Sequence, residues 1–264
     1  MRAALLLSVL AVAGCDNLLG LTPVGDAGSV GGDGRDTKDA GRTGDSGPPS
    51  NGLIMHVTFD SKRGDSVSCT ADTAMAYTFQ CHDDGSNDIQ VVAGRFGSAF
   101  AFANSTYLTG EQAFETTTTG LTVSFWFEAQ ASNISGCVLG KNGADTATVW
   151  TACLTGAGSG EFSSSSSVGL GWNVPFGDGS DSGFHMASLT WDPTHNLVES
   201  WFDGELGSAT TAPGGLVDSS GSLTVAGVLS SAAQATAFYT GPVDDLWIYD
   251  RALGSAEIQS LYTQ

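Results

Sequence analysis

The sequence predicts an all-β fold, a sandwich of two antiparallel sheets with one short helix near the C-terminus. Three observations carry this prediction. Apolar and polar residues alternate in short runs, glycine is abundant at 36 residues, and charged residues are sparse at 14%. Alternation with a period of two is typical of half-buried strands, and many short strands separated by turns indicate a sandwich or barrel.

The alternating residues define three apolar faces. In chain order, these faces are Leu53, Met55, Val57 and Phe59; Val123, Phe125 and Phe127; and Ala187, Leu189 and Trp191. Turn-forming residues separate the runs at 192–196, 203–204 and 213–215. The segment 254–262 is the exception, since its apolar residues follow a helical period. There we expect Ser255 to cap a short helix whose Ile258, Leu261 and Tyr262 face the sheet.

The N-terminus reads as an export signal. One arginine, Arg2, precedes an apolar run at 3–13 that is too short for a bilayer, which needs about 20 residues. Val12-Ala13-Gly14-Cys15 resembles a bacterial lipobox. The resemblance implies that 1–14 is a lipoprotein signal peptide and that Cys15 is diacylated. The alternative is ordinary signal cleavage with Cys15 as a bystander.

The region after Cys15 divides into a tether and a domain. Glycine, aspartate and proline dominate up to residue 51, so 15–51 is expected to be a flexible, lipid-anchored tether. Residues 52–264 suffice for one sandwich domain. We expect a cell-envelope protein whose first partner is a membrane, at the outer membrane or cell surface. The identity of Asp16 leaves the choice of membrane open.

The net charge bears on the partners of the protein, and the cysteine content bears on its disulfides. The net charge of −19 argues against nucleic acid as a partner. Besides Cys15, the chain has Cys69, Cys81, Cys137 and Cys153, and an even number in an exported chain implies disulfides. Of three pairings, we favour Cys69–Cys81 and Cys137–Cys153, because each would staple a hairpin-like unit. The absence of Cys-x-x-Cys spacing disfavours a metal site.

Four segments in order resemble laminin G-like domains of the concanavalin A-like superfamily. They are 94–102 (GRFGSAFAF), 121–127 (LTVSFWF), 184–205 (FHMASLTWD to SWFDGE) and 241–253 (GPVDDLWIYDRAL). The resemblance implies a jelly-roll sandwich that binds carbohydrate or protein. The paired-acid strand of the glycosidase relatives is missing, so we expect no enzyme activity. The alternatives are a structural or adhesive envelope component and a glycoside hydrolase.

Asp244 is the candidate metal ligand. Strand alternation places it on the face of Leu246 and Ile248, where an unpartnered carboxylate is costly. Related jelly rolls hold a structural calcium ion at this position, and the resemblance makes Asp60 its expected partner. Calcium would take its remaining ligands from carbonyls and water. The alternative is that Asp244 accepts backbone hydrogen bonds at the end of a turn.

Aromatic residues are the candidate ligand contacts. Trp172 and Phe176 lie in the glycine-rich segment 171–179, which we expect to be a loop that presents them to a sugar. Trp126, Trp201 and Trp247 lie opposite the core-patterned residues of their strands. We expect them to pack on the second sheet or under loops. His185, on the face of Ala187 and Leu189, is expected to be a core histidine with its hydrogen bonds satisfied.

Overall fold

The computed structural model describes most of the predicted domain. The described residues are 47–62, 70–71, 77–83, 89–110, 119–128, 135–143, 148–155, 159–164, 171–179, 181–212, 221–231 and 234–264. The predicted signal peptide, Cys15, the tether as far as residue 46, and Cys69 lie outside the described residues, so the predictions made for them stay predictions.

The described residues form many short strands and one helix, α1 (Ser255–Tyr262). The strands are β1 (Leu53–Val57), β2 (Thr70–Ala71), β3 (Thr78–His82), β4 (Gln90–Ala93), β5 (Ser98–Phe102), β6 (Tyr107–Gly110), β7 (Leu121–Glu128), β8 (Gly136–Asn142), β9 (Thr148–Thr155), β10 (Ser159–Ser164), β11 (Asn173–Asp178), β12 (Phe184–Asp192), β13 (Leu197–Phe202), β14 (Glu205–Thr211), β15 (Leu223–Val225), β16 (Val228–Ser231), β17 (Gln234–Thr236) and β18 (Gly241–Tyr249). Among these residues, no helix combines the length and apolarity that a membrane crossing needs.

The strands assemble into two large antiparallel sheets and a small hairpin. In the described residues, the first sheet has the order β14-β13-β12-β7-β18-β5-β4, with β1 also paired to β18. The second has the order β11-β10-β9-β8-β15-β6-β3-β2, and β16 pairs with β17. Strands far apart in the chain, such as β7 and β18, are neighbours. The predicted all-β sandwich with a short C-terminal helix is confirmed.

The core lies between the two sheets and uses the predicted apolar faces. Val123, Phe125 and Phe127 are fully buried in it, and the face that ends in Trp191 joins them. One residue departs from the prediction. The pairing of β1 with β18 shifts register between Leu53 and Met55, and Leu53 packs with a second cluster instead of the core. A register irregularity of this kind reverses the face of the residues on one side of it.

The second cluster lies under helix α1. Trp126, Trp201 and Trp247 belong to it together with Ile258 and Leu261 of the helix. These tryptophans are packing residues, as predicted, but they pack with the helix and not with the second sheet or loops alone. Tyr262 stacks on Trp126 with ring centroids 5.6 Å apart. The helix begins differently from the prediction. Gly254 occupies the N-cap position and its N–H donates to Glu257 Oε2 (3.0 Å), whereas Ser255 is the first helical residue.

Candidate functional site

An open cavity of about 530 Å³ lies where strands β8 and β9 meet the chain before β18. Its lining combines small, polar and aromatic residues: Asn104, Ser135, Gly136, Cys137, Cys153, Leu154, Ala237 and Phe238. Within this lining, Asn104 and Ser135 are exposed and Phe238 is partly exposed. The volume falls in the range of small-ligand sites, about 300–1,000 Å³.

The predicted disulfide between Cys137 and Cys153 is confirmed, and it forms part of the cavity wall. The two cysteines are register partners on β8 and β9 and are joined by an S–S bond of 2.00 Å. Cys81 is also disulfide-bonded. Cys69 lies outside the described residues, so the Cys69–Cys81 pairing stays a prediction. The bond at the cavity ties together the two strands that support its wall.

Backbone hydrogen bonds fix Phe238 at the edge of the cavity. Cys137 N donates to Ala237 O (2.7 Å), and the next residue, Tyr239, is fully buried and its hydroxyl donates to the carbonyl of Glu128 (2.7 Å). Gly136 has φ +148°, and a Cβ there would lie 2.1 Å from the carbonyl oxygen of Phe238. Only glycine permits this close approach of the two segments.

Phe238 continues a row of aromatic rings, His82, Tyr107 and Phe238, which we name the aromatic rim. The rings of His82 and Tyr107, register partners on β3 and β6, stack in parallel with centroids 4.3 Å apart. Tyr107 lies 5.9 Å from Phe238 with the ring planes tilted by 43°. All three side chains are partly exposed, so the rim offers apolar surface beside the cavity.

The aromatic rim carries no net charge at neutral pH. Burial lowers the pKa of His82, which favours the neutral imidazole, and its Nε2 lies 2.7 Å from Thr109 Oγ1. Burial also raises the pKa of Tyr107, which keeps its phenol protonated. The charges next to His82 compensate each other, because Lys62 Nζ donates to Asp83 Oδ2 (3.1 Å).

Asn104 supplies an amide to the lining of the cavity. It lies in the tight turn between β5 and β6, where Ala103 N and Thr106 Oγ1 are 2.9 Å apart and Ser105 has φ +69°. Thr240 Oγ1 donates to Asn104 Oδ1 (3.2 Å). The amide group is therefore fixed through its oxygen, which leaves its N–H groups to donate to a ligand.

The predicted metal residues meet at another turn, Gly94 to Ser98. Asp60 Oδ1 accepts a hydrogen bond from Ser98 N (2.9 Å), and Asp244 Oδ2 accepts one from Phe96 N (2.9 Å). Asp244 is fully buried, and its burial raises its pKa to about 7. The two aspartates hold the same turn, and their predicted partnership as calcium ligands stays a prediction.

The bonds of Asp244 agree with the alternative interpretation, in which it accepts backbone hydrogen bonds at a turn. Its second oxygen accepts from Asp245 N (2.9 Å). Across the described ranges, no group of three or more His, Cys, Asp or Glu side chains is arranged to hold a metal ion. A calcium ion at Asp60 and Asp244 would therefore depend on carbonyl and water oxygens, and it stays a prediction.

The expected sugar contacts, Trp172 and Phe176, are buried, which corrects their interpretation as an exposed platform. Phe176 lies on strand β11 and not in a loop, and it is 2% exposed. Its ring packs against Phe162 with centroids 4.8 Å apart. Trp172 is 6% exposed and belongs to the same core cluster. A glycine on the neighbouring strand β10 permits the close packing of Phe176: a Cβ on Gly160 would lie 1.9 Å from its ring.

His185 is a satisfied, buried histidine, as predicted, and both of its partners are carboxylates. Its Nδ1 lies 2.8 Å from Asp203 Oδ2 and its Nε2 lies 2.6 Å from Asp181 Oδ1. The hydrogen bond with Asp203, more than that with Asp181, raises the pKa of His185 to about 8. Since both ring nitrogens are engaged, the residue has no free nitrogen to act as a base.

Apart from Cys137 and Cys153, the sequence did not single out the residues of the cavity or of the aromatic rim as ligand contacts. Tyr107 and Phe238 stand in short polar segments without any motif, and no spacing links them to His82. Sheet pairing over long sequence separations brings them together, and only the local disulfide, Cys137–Cys153, pointed toward this part of the chain.

Comparison with known families agrees with the architecture. Residues 102–259 match the Laminin G 3 family, described as the Concanavalin A-like lectin/glucanases superfamily. The chain belongs to this family, as its motifs predict. No curated protein matches the chain.

Several solved structures share the fold. The binding domain of Paraclostridial Mosquitocidal Protein 1 superposes with a TM-score of 0.61 at 12% identity, over 80% of this chain and 52% of that one. The binding domain of Botulinum neurotoxin DC, in complex with rat synaptotagmin II, gives 0.59 at 12% identity, over 80% and 51%. The chain thus spans about half the length of these two structures.

Another structure of similar fold is nearly matched along its whole length. Domain 4 of AbnA, a GH43 extracellular arabinanase from Geobacillus stearothermophilus, in complex with arabinotriose, superposes with a TM-score of 0.58 at 15% identity. The match covers 80% of this chain and 98% of that one. At these identities the likeness shows the fold, and ligands have to be argued from the site itself.

Proposed function

We propose that the protein is a lipid-anchored cell-envelope protein whose sandwich domain binds an extracellular glycan or protein ligand without turning it over. The observation that carries this proposal is the open cavity bordered by Phe238 and the rest of the aromatic rim. Concave sites with aromatic surface and a few fixed polar groups are the usual form of a ligand site.

The similar structures support a binding role of this kind. One is a domain in complex with arabinotriose, and another is a toxin binding domain in complex with synaptotagmin II. Both classes of ligand, saccharide and protein, are therefore kept in the proposal. The lipobox at 12–15 supports lipid anchoring at Cys15, which would make the membrane a partner in addition to the ligand.

The cavity lining argues for binding without hydrolysis. Retaining glycosidases need two carboxyl groups about 5 Å apart, and inverting ones about 6.5–9.5 Å apart. The described residues that line this cavity carry no carboxylate. Asp60 and Asp244, which bond to the same turn, are engaged with the backbone of residues 98 and 96.

Two binding experiments with the full chain, purified in detergent, test the proposal. One measures binding to arrayed oligosaccharides, and the other identifies the envelope proteins that crosslink to the chain. We expect at least one ligand whose binding is lost in Phe238→Ala. The matched control is Leu206→Ala, which removes an exposed apolar side chain on β14. A ligand bound equally by both variants would place the site elsewhere, and binding to no ligand would favour the structural alternative.

The same screen, run as a depolymerisation assay, tests the absence of catalysis. We expect no shortening of soluble or insoluble polysaccharides. Turnover that disappears when one acidic residue is replaced would establish the hydrolase alternative and overturn the proposal.

We also propose that calcium stabilises the domain through Asp244 and Asp60. In support, Asp244 is fully buried and bonds to the same turn as Asp60, so a cation there would offset the charge of the two carboxylates. The test is the melting temperature with calcium and with EDTA. We expect EDTA to lower it in the wild type and to have less effect in Asp60→Asn. An unchanged melting temperature in the wild type would contradict the proposal.

A further inference from the structure

We infer that the cavity beside the aromatic rim is a site for a neutral saccharide. The inference rests on the proposed binding function and deepens it, since it selects one class of ligand by the chemistry of the site. Three properties carry it: partly exposed aromatic rings, fixed neutral hydrogen-bonding groups, and a lining without charge.

The aromatic rings provide a surface for the apolar face of a sugar. Phe238 lines the cavity directly, whereas Tyr107 flanks it and is itself backed by the stacked ring of His82. The 43° tilt between Tyr107 and Phe238 gives the surface an angle instead of a flat plane. Aromatic rings combine large apolar area with little conformational entropy, which makes them suited to stacking on saccharides.

The polar groups of the cavity are of the kind that sugar hydroxyls need. A hydroxyl both donates and accepts, so it pairs with amides and other hydroxyls. Asn104 offers an amide that its turn and Thr240 hold in place, and exposed Ser135 offers a hydroxyl. These groups lie around the same cavity as Phe238, so one sugar residue can stack and hydrogen-bond at once.

The uncharged lining of the site, as far as the structure describes it, disfavours acidic and basic ligands. None of the described residues that line the cavity is ionisable apart from the disulfide-bonded cysteines, which do not titrate. Lys62 and Asp83, near the end of the rim, form an ion pair with each other. The net charge of −19 repels uronate and sialylated glycans over longer distances.

The experiment compares neutral and acidic oligosaccharides of equal length. The full chain, purified in detergent, is titrated calorimetrically with cellotriose, laminaritriose, arabinotriose and trigalacturonate at moderate ionic strength. We expect at least one neutral trimer to bind about tenfold or more tightly than trigalacturonate. Phe238→Ala and Asn104→Ala should each weaken this binding about tenfold, while Leu206→Ala should leave it unchanged. Unchanged melting temperatures would show that the variants are folded.

The failures of the two proposals are distinguishable. Tighter binding of trigalacturonate, or of a protein ligand only, that Phe238→Ala weakens would overturn the neutral-saccharide inference and leave the proposed binding function standing. Neutral trimers that bind equally well to the wild type and to Phe238→Ala would overturn the inference about this cavity. Binding to no ligand at all, saccharide or protein, would overturn both.

Discussion

His185 shows how one residue couples two loops of the first sheet. Its ring nitrogens reach Asp181, before β12, and Asp203, in the turn between β13 and β14, while its ring stacks on Phe202 at 5.0 Å. Asp203 also accepts a hydrogen bond from Met186 N (2.9 Å). A protonated imidazole can donate to both carboxylates, whereas a neutral one can donate to only one of them.

Stability should therefore fall as this histidine loses its proton. Its pKa in the folded protein, about 8, lies above the ordinary value of 6.5. The protonated His185 contributes roughly 1–2 kcal/mol to the free energy of unfolding. This contribution is fully present below about pH 6.5 and is lost as pH rises through 8. We expect the difference in unfolding free energy between wild type and His185→Gln, measured in urea, to shrink from pH 6 to pH 9.

A matched control for this prediction is His195→Gln. His195 is an exposed histidine paired with Asp192 at 2.6 Å, so it tests whether any His–Asp pair gives the effect. We expect it to change the pH dependence much less. A wild-type-to-variant difference for His185→Gln that is the same at both pH values would contradict the account of this residue.

Gly136 is the second residue with a specific structural requirement. Its positive φ and the carbonyl of Phe238 both exclude a side chain. We expect Gly136→Ala to lower the unfolding free energy by about 1–3 kcal/mol and to weaken ligand binding, because Phe238 must move. Gly227→Ala is the control: its Cβ would meet only ordinary contacts at 3.5 Å. Equal stability of the two variants, measured by thermal unfolding, would refute this prediction.

At the level of elements, helix α1 acts as a cover for the tryptophan-rich outer face of the first sheet. Ile258 and Leu261 are fully buried against Trp126 and its neighbours. Arg251 and Glu257 form an ion pair that holds the chain just before the helix to its first turn. Helices of this length are marginal in isolation, so packing supplies most of the stability.

The helix therefore gives a clear prediction. Ile258→Ala should lower the free energy of unfolding by about 2–5 kcal/mol, as other large-to-small changes in a core do. Ser255→Ala should change stability by less than about 0.5 kcal/mol, because Gly254, and not Ser255, is the N-cap. Urea unfolding monitored by tryptophan fluorescence measures both. A loss of about 1 kcal/mol in Ser255→Ala would instead support the capping role that the sequence suggested.

Strands were predictable from the sequence where apolar and polar residues alternate without interruption and one face of the strand is turned to the core. The alternation in β7 and β12 assigns residues such as Phe125 and Leu189 to the core directly. Leu53 was assigned to the wrong face because a register shift in β1 interrupts the alternation, and such shifts leave no sequence signal. Phe176 was assigned to a loop because glycine on both sides resembles a turn, although Gly177, beside it, serves close packing against Phe202.

At the level of the whole molecule, the strand order decides where a site forms. His82, Tyr107 and Phe238 come from three distant parts of the chain, and pairing of β3 with β6 and of Phe238 with Cys137 brings them together. Local patterns predict strands and their faces, but they contain no information on which distant strands become neighbours. The jelly-roll architecture could be predicted from ordered family motifs, whereas the aromatic rim required the structure.

The lipobox-like residues 12–15 give a prediction about where the molecule is located. We expect Cys15→Ser to move the protein from the membrane fraction to the soluble fraction of the producing bacterium, because the acyl chains would be absent. Fractionation followed by immunoblotting measures this, and Cys81→Ser, which changes a cysteine of the domain, is the control. An unchanged membrane fraction in Cys15→Ser would contradict lipidation at this residue.

The central claim, that the cavity beside the aromatic rim is the ligand site, is tested most directly by NMR. The ¹⁵N-labelled full chain in detergent would be titrated with the tightest-binding of the three neutral trimers, and the shifted amide signals assigned. We expect the largest shifts to cluster at Asn104, Tyr107, Cys137 and Phe238. Shifts that cluster at another surface, such as the 94–98 turn, would contradict it.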